Sequence, residues 1–584
     1  MSTCLVGSEM CIRDSLSSVF DFKFKEGNSD KIGGSFVIGS SDAGITLEGP
    51  LGKSATFIAS ARQSYLQFLF RGIGLPFLPT YNDFQYKVKW NIDDKNQITI
   101  LAIGAIDDFA LNLDANETDF QKYLLDNLPV YQQWNYTQGF KYTHFGKTSY
   151  TNYIFSRSML NNKFYKYFGN DESSDENLIL DYNSVEAENK FRIENINRLP
   201  SGFKITSGVS YEIAKYTNST YSQIQLGDSI LEINYDSKFV LQKYAAFGQV
   251  SRTFMNEKLI TSFGLRIDGN NYSKVMSNPF KQISPRFSVA MAITPRINAN
   301  FNTGLYYQLP AYTVLGYKEN GEFVNKDNDI SYIRCGHIVG GLEFNTPSNS
   351  KITVEGFYKK YDNYPFSVND SISLANLGID FGVIGNEAFV PTSEGRAYGM
   401  EFLFQQKLFK GFYGITSYTL SWSEFKDKNG DFVPSSWDTR HIANVTLGKR
   451  FNKNWEIGLN WRFSTGLPYT PYDVETSAII PVWDVTRQGI LDYNRLNGER
   501  LDEFHQLNFR VDNKWFFKRW NFNLFLDVQN AYNNKIDLQP YITPARDENG
   551  DFIVNENDPL RYEMTTLDNE SGLLQPSIGI IVEW

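Results

Sequence analysis

Hydrophobic and polar residues alternate with a period of two along much of the chain. Between Ile283 and Ile293, the residues Ile283, Phe287, Val289, Met291 and Ile293 share one face, and Ser284, Arg286, Ser288, Ala290 and Ala292 share the other. Beyond the Pro295-Arg296 turn, Ile297, Ala299, Phe301 and Leu305 alternate with Asn298, Asn300, Asn302 and Gly304. Trp455, Ile457, Leu459, Trp461 and Phe463 oppose Glu456, Gly458, Asn460 and Arg462, and Phe522, Leu524, Leu526 and Val528 oppose Asn521, Asn523, Asp527 and Gln529. A period of two marks strands whose two faces meet different media. The chain ends in the same way: Ile578, Ile580, Val582 and Trp584 lie on one side, Ser577, Gly579 and Glu583 on the other, with Ile581 as the exception. A terminal strand that is greasy outside and polar inside fits a wall with lipid on one side and a wet lumen on the other. A charge such as Arg462 on the lipid side would cost ~2 to 4 kcal/mol at mid-bilayer, so it belongs in the lumen.

From Lys31 onward the pattern predicts about 22 strands, each able to supply the ~9 to 11 residues of a tilted spanning strand. Tight connections fall at Gly49 to Lys53, Asp93 to Asn96, Phe145 to Lys147, Leu199 to Gly202, Met255 to Glu257, Thr294 to Arg296, Pro347 to Ser350, Phe409 to Gly411, Asn452 to Asn454 and Lys518 to Trp520. Between them lie longer irregular stretches, among them Asp108 to Pro129, Leu309 to Tyr332, Asn363 to Pro391, Ser464 to Glu503 and Tyr532 to Gly572. This rhythm predicts an all-β fold, a transmembrane antiparallel β-barrel of about 22 strands with short periplasmic turns and long extracellular loops. An even strand number places both chain ends on the periplasmic side. A barrel this wide encloses a lumen that leaks unless something fills it.

Composition narrows the alternatives. Aromatic residues make up 16% of the 584, with Tyr 35 and Phe 46, which suits two interfacial girdles. A mean hydropathy of -0.38 and the lack of an apolar run near ~18 residues exclude a helical membrane protein. The net charge of -10, from Lys+Arg 56 against Asp+Glu 66, comes without a basic stripe, so nucleic acid is excluded as a partner. Cys4, Cys11 and Cys335 offer no disulfide framework, and His144, His337, His441 and His505 are too scattered for a metal cluster, so no cofactor is expected. Residues 1–15, MSTCLVGSEMCIRDS, lack both a cationic region and an apolar run, cannot serve as an export signal, and look like translated sequencing-adapter sequence.

Several stretches resemble the barrel of TonB-dependent outer-membrane receptors of the Bacteroidetes type. They are Asp42 to Lys53, Ser60 to Tyr65, Ala397 to Glu401 with Ser417 to Ser421, Asp438-Thr439-Arg440-His441, Ser464 to Pro471 and Phe504 to Asp512. Their order and spacing carry the resemblance, which covers roughly Ser17 to Trp584. It implies active uptake in the outer membrane of a scarce solute: a siderophore or other metal chelate, cobalamin, a glycan or a peptide. Such a solute binds the outer loops and the apex of a plug, which the TonB-ExbB-ExbD system pulls from the inner membrane. On this reading 16–30 is the remnant of a plug-to-barrel linker and 31–584 the barrel, while the signal peptide, TonB box and plug are missing. The further partners implied are outer-membrane lipid, the barrel-assembly machinery and a surface lipoprotein lid of the kind some family members use. The competing readings are a passive outer-membrane channel or lipid-type transporter without a plug, and a soluble β-rich binding protein.

Candidate residues follow from position. Ile578, Gly579, Ile580, Val582 and Trp584 would close the barrel and carry its assembly signal. Arg286, Arg462, Arg510, Asp512 and Asp527 face the lumen, where they contact solute or, more commonly for such walls, a plug or their own neighbours. Tyr312, Tyr317, Trp483 and Tyr493 in the loops could stack on a sugar or a chelate, or be interfacial aromatics. Asn-Gly-acid-Phe recurs at Asn320, Asn429 and Asn549. The acidic alternations Asp427, Asn429, Asp431 and Asp547, Asn549, Asp551 resemble calcium loops, but Asn-Gly is first of all a hairpin tip. His441 with Asp438 and His505 with Asp502 lack a nucleophile, so no enzyme is expected.

Overall fold

The structure, a computed structural model, describes residues 22–226, 229–377, 385–548 and 550–584. The segment 1–15, the first part of the linker and Asn549 lie outside the described residues.

The strands are β1 Gly33–Ile38, β2 Asp42–Pro50, β3 Ala55–Ser64, β4 Phe77–Asp93, β5 Asn96–Leu111, β6 Val130–Phe145 and β7 Ser149–Tyr167. There follow β8 Leu178–Arg198, β9 Phe203–Leu226, β10 Ser229–Phe254, β11 Leu259–Asn270, β12 Ile283–Ala292, β13 Ile297–Gln308 and β14 Ile333–Asn345. The wall is completed by β15 Ser350–Ser367, β16 Phe389–Phe409, β17 Phe412–Lys426, β18 His441–Arg450, β19 Trp455–Ser464, β20 Phe504–Phe516, β21 Asn521–Gln529 and β22 Gln575–Glu583. The main sheet counts 23 strands because the short Phe432–Pro434 extends β17 beyond the wall. The cylinder itself is a closed antiparallel barrel of 22 strands.

Closure is made by β22, which pairs with β21 on one edge and with β1 on the other, from Ser35 opposite Glu583 to Ile38 opposite Ile580. Gly34 and Trp584 exchange the last two backbone bonds of the seam, at 3.3 and 3.0 Å. Every predicted tight connection lies on one rim, and the loops rise from the other. Within that loop rim, 39–41 is a short turn that leaves the wall low between the short strands β1 and β2.

Residues opposite one another across the ladders share a face, so the register assigns each side of the wall. Phe263, Phe287, Thr303, Ile338, Tyr358, Tyr398 and Trp422 form one row on the outer face of β11 to β17. Most of the exposed large apolar side chains of the strands point outward, as lipid-facing residues must. Rings gather near both rims: Trp90, Tyr142, Tyr153, Trp455 and Trp515 toward the turns, and Trp134, Tyr358, Tyr398 and Trp422 toward the loops.

Several strands run further than the alternation predicts. β5 continues through Asp108 to Leu111, β15 through Asn363 to Ser367, and β16 begins at Phe389, so each takes residues expected in a loop. β9 and β10 reach 24 and 26 residues. Above the hydrocarbon both faces of a strand are wet, so polarity stops alternating while the backbone ladder continues.

Inside the wall, glycines make room for rings from the neighbouring strand. A Cβ at Gly579 would come 2.4 Å from the ring of Phe525, one at Gly395 2.4 Å from Phe425, and one at Gly448 2.1 Å from Tyr413. The Gly579 contact sits in the closing strand, so it bears on assembly. Gly579→Leu is expected to push Phe525 off the seam and sharply reduce the heat-modifiable, folded fraction in outer membranes. Deleting Trp584 removes the last pair of seam bonds and should lower surface accumulation in the same assay; an unchanged folded yield would contradict the seam's role.

Candidate solute path: the lumenal wall and the loops over its mouth

Residues 22–30 lie along the inner face of β2 to β4. Lys25 pairs with Glu48 at 2.6 Å, the amide of Asn28 donates to Glu48 at 3.1 Å, and Lys87 reaches Glu26 at 2.5 Å and the Phe24 carbonyl at 3.1 Å. The segment therefore runs inside the cylinder before entering the wall at Gly33.

Of the five lumen-facing charges expected from the sequence, three meet. Arg510 holds Asp512 by two bonds of 2.9 Å and lies 3.7 Å from Asp527, while its guanidinium covers the ring of Phe525 at 4.0 Å. Asn523 donates to Asp512 at 2.7 Å. The cluster is self-compensated, and each partner sits on an inner-face position of β20 or β21. Phe525 was not expected there; the signal in the sequence is Gly579, whose missing side chain accommodates it. Nearer the turns, Glu456 accepts from Tyr413 at 2.6 Å, Arg450 at 3.1 Å and Lys514 at 2.8 Å.

The other two arginines stand apart. Arg286 holds its inner-face position but is 6% exposed and lies over Tyr306 at 4.3 Å, which stacks on His337 at 4.3 Å, so its guanidinium is covered by its neighbours on the wall. Arg462 is exposed on the inner face and donates to Asn460 at 3.2 Å.

The loops do not stand away from the barrel. The loop 309–332 folds onto the inner face of β9 to β11, where Tyr312, Val314, Leu315 and Ile330 bury themselves against Ala214, Tyr216 and Leu241. The Tyr312 hydroxyl donates to Glu188 and accepts from Lys243 at 2.6 Å. Burial first, and the Glu188 carboxylate second, push this phenol up, so it remains a donor. Lys243 in turn contacts the buried Glu212. Tyr312 is 9% exposed and therefore has no face left for a solute, which corrects the expectation for that residue. Tyr317 stacks beside Tyr235 and its hydroxyl donates to Glu319 at 2.5 Å.

Short helices, absent from the strand pattern, build the remaining cover. Asp119–Asn127 starts at a Thr118 to Gln121 capping box. Helix Ile480–Thr486 packs against β9, about half the circumference away from the strands that carry its loop, so this loop spans the mouth. Its Trp483 is 2% exposed and is likewise lost as a stacking platform, whereas Tyr493 remains half-buried at the loop surface. The same loop is joined to 530–574 by the Ile479 to Arg561 bridge and by Tyr562 donating to Asp484 at 3.1 Å. Tyr541 of 530–574 lies 4.9 Å from Tyr123 of the Asp119–Asn127 helix. In this packing Tyr472 is pushed up to about 12, by burial first and then by Tyr541.

One buried carboxylate fastens two loops. Asp438 accepts from the Ser423 amide at 2.7 Å, from Arg440 at 2.9 Å and from Arg500, whose other nitrogen donates to the Asp438 carbonyl at 2.8 Å and to the Gly466 carbonyl at 3.0 Å. Asp438 thus faces arginines. His441 turns outward to the Tyr418 hydroxyl at 2.8 Å, and His505 outward to that of Tyr532 at 2.8 Å, so neither Asp–His pair forms a dyad. At the Asn429-Gly430 tip, Asp427 accepts from the amides of Asn429 and Asp431, both at 2.9 Å, which is hairpin geometry. Asn320-Gly321 likewise turns a hairpin that pairs Lys318 with Phe323.

The family described as TonB dependent receptor-like, beta-barrel matches residues 60–531. No curated protein is significantly similar in sequence. Among solved structures, the ferripyoverdine receptor of the outer membrane of Pseudomonas aeruginosa has a TM-score of 0.66 at 10% identity, over 96% of this chain and 72% of that one. Copper transporter OprC gives 0.64 at 14% identity over 96% and 82%, and the ferric-catecholate import receptor Fiu from K12 E. coli gives 0.63 at 10% over 96% and 82%. At these identities the likeness is one of fold.

The Asp438 fastening is open to direct test. Asp438→Ala leaves Arg440 and Arg500 without their shared carboxylate, and the loops 427–440 and 465–503 should become trypsin-sensitive while the barrel keeps its heat-modifiable migration. Equal loop cleavage in variant and parent would remove Asp438 from this role.

Proposed function

The chain belongs to the TonB-dependent receptor-like β-barrel family of the outer membrane, and on that premise we propose that it is the barrel of a Bacteroidetes-type receptor for energised uptake. The cargo is a scarce solute: a siderophore or other metal chelate, cobalamin, a glycan or a peptide. The observation that carries this reading is the interlocked cover of loops over a 22-strand lumen. A passive channel gains nothing from a mouth spanned by a loop that reaches the opposite wall, whereas a receptor needs a surface that retains solute before passage. The lumenal course of residues 22–30 supports a plug-to-barrel linker there, and thus a plug within the cylinder. A plug also answers the leak that so wide a lumen creates. Proteins of this family work with the TonB system and small solutes; coupling through a plug, assembly by the barrel-assembly machinery and a surface lipoprotein partner complete the proposal.

Genomic sequence upstream of Leu16 should then encode a plug-sized segment of about 100 or more residues. The native product, reconstituted whole in a planar bilayer, should be nearly silent and should conduct only when that segment is excised. A large, steady conductance through the intact product would assign a passive channel instead.

A further inference from the structure

Rings on the inner wall, joined by Phe70 of the helix Leu66–Gly72 between β3 and β4, form a band. Phe70 meets Phe77 edge-on at 5.6 Å, Phe77 stacks on Phe109 at 5.3 Å, and Phe109 meets Tyr131 at 5.6 Å. Tyr131 then lies 5.5 Å from Phe164, which stacks on Tyr182 at 4.4 Å. Phe109, Tyr131, Phe164 and Tyr182 are direct cross-strand partners from β5 to β8, all inner-face and all at the loop end of their strands. Lipid does not explain rings on this face. Core packing accounts for Tyr182, which is buried at the far end of the band, but not for Tyr131, which is 37% exposed.

Where the band begins, above the low rim at β1 and β2, the loops enclose a cavity of about 630 Å³, within the ~300–1,000 Å³ of small-molecule sites. Phe77 and Phe109 line one side, and Gln506, Gln529 and Gln575 of β20 to β22 line the other. Gln529 and Gln575 are cross-strand partners and make no side-chain hydrogen bond among the described residues. Each amide offers two donors and an acceptor. Among the described residues lining the cavity there is no lysine or arginine, and the one carboxylate, Glu570, is held by Lys535 at 2.6 Å.

Flat apolar faces beside uncommitted amides, without a cation, match a ligand that is neutral, ring-shaped and edged with hydroxyls. An anionic ferric chelate would instead call for ammonium or guanidinium groups in the lining. We propose that this cavity and the adjoining ring band bind a neutral oligosaccharide, its C–H faces on the phenyl rings and its hydroxyls on the glutamines. The proposal rests on the uptake-receptor reading and selects one cargo class from it.

The test uses the full chain in detergent micelles, fluorescently labelled, on an array of neutral and acidic oligosaccharides, followed by calorimetry with the best-retained compound and with ferric tris-catecholate. Retention of a neutral oligosaccharide is expected. Phe109→Ala should weaken it about fivefold or more, and the amide variants Gln529→Ala and Gln575→Ala should weaken it as well. Phe109→Tyr should preserve it, and heat-modifiable migration reports folding in every case. If Phe109→Ala fails to fold, the two glutamine variants decide the result. A blank array, retention that the substitutions leave unchanged, or binding of ferric tris-catecholate alone would overturn the proposal. The bilayer measurement decides the receptor reading separately, so failure of one is distinguishable from failure of the other.

Discussion

A backbone amide or carbonyl in hydrocarbon has no water to bond, and each one left unpaired costs several kcal/mol. A sheet crossing a membrane must therefore have no edge, and in this protein the requirement falls on β22. Its two ladders, to β21 and to β1, turn an open sheet into a cylinder. Ile578, Ile580 and Val582 point outward from that strand because lipid lies there, while Gly579 is inward and bare because Phe525 occupies its space. One strand thus answers to the bilayer, the ladder and the lumen together, and the other strands inherit their facing from the register it sets.

Closure at this width creates the next constraint. The wall encloses far more space than its own side chains fill, so the inner face must be stable against water and the mouth must be managed by other parts of the chain. The first demand is met by pairing charge with charge along the wall, as at Arg510 with Asp512 and at Glu456 with Arg450 and Lys514. The second is met by loops that grip one another and the inner face. Their grip uses buried groups: Tyr312 between Glu188 and Lys243, and Asp438 between two arginines. Such contacts are costly to break: the first leaves buried hydrogen-bonding groups unsatisfied, and the second leaves charges without their partner.

The wall was legible in the sequence for a simple reason: lipid and water impose opposite demands on alternate residues, and the demand is local. The ten tight turns could be read for the same reason, since each falls where alternation resets. The mouth was not legible. Tyr312 and Trp483 look like exposed loop aromatics by composition, and only the path of the loops, with contacts to strands over two hundred residues earlier in the case of Trp483, shows that they are buried. Strand ends such as Asp108 to Leu111 look like loop in the sequence because alternation stops where the hydrocarbon stops, although the ladder continues. Phe525 broke the polar face of β21, and its explanation lies in a glycine on the next strand.

The division between fastened and unfastened polar groups follows the same logic. Charges on the inner wall are mostly spent on one another, which suits a surface that must not trap passing ions. The loop end of β20 to β22 differs, with glutamines on its inner face where charges would be expected from the strands below. An amide there holds no counter-ion and sets up no field. It can therefore be left without a protein partner at little cost while water occupies the site, and it can exchange that water for a hydroxyl without paying the desolvation of a full charge. Opposite these amides the wall supplies rings, which gain by losing water. A neutral surface of this kind at the mouth of a charged tube sorts solutes by shape and hydroxyl pattern before the charges below can act on them.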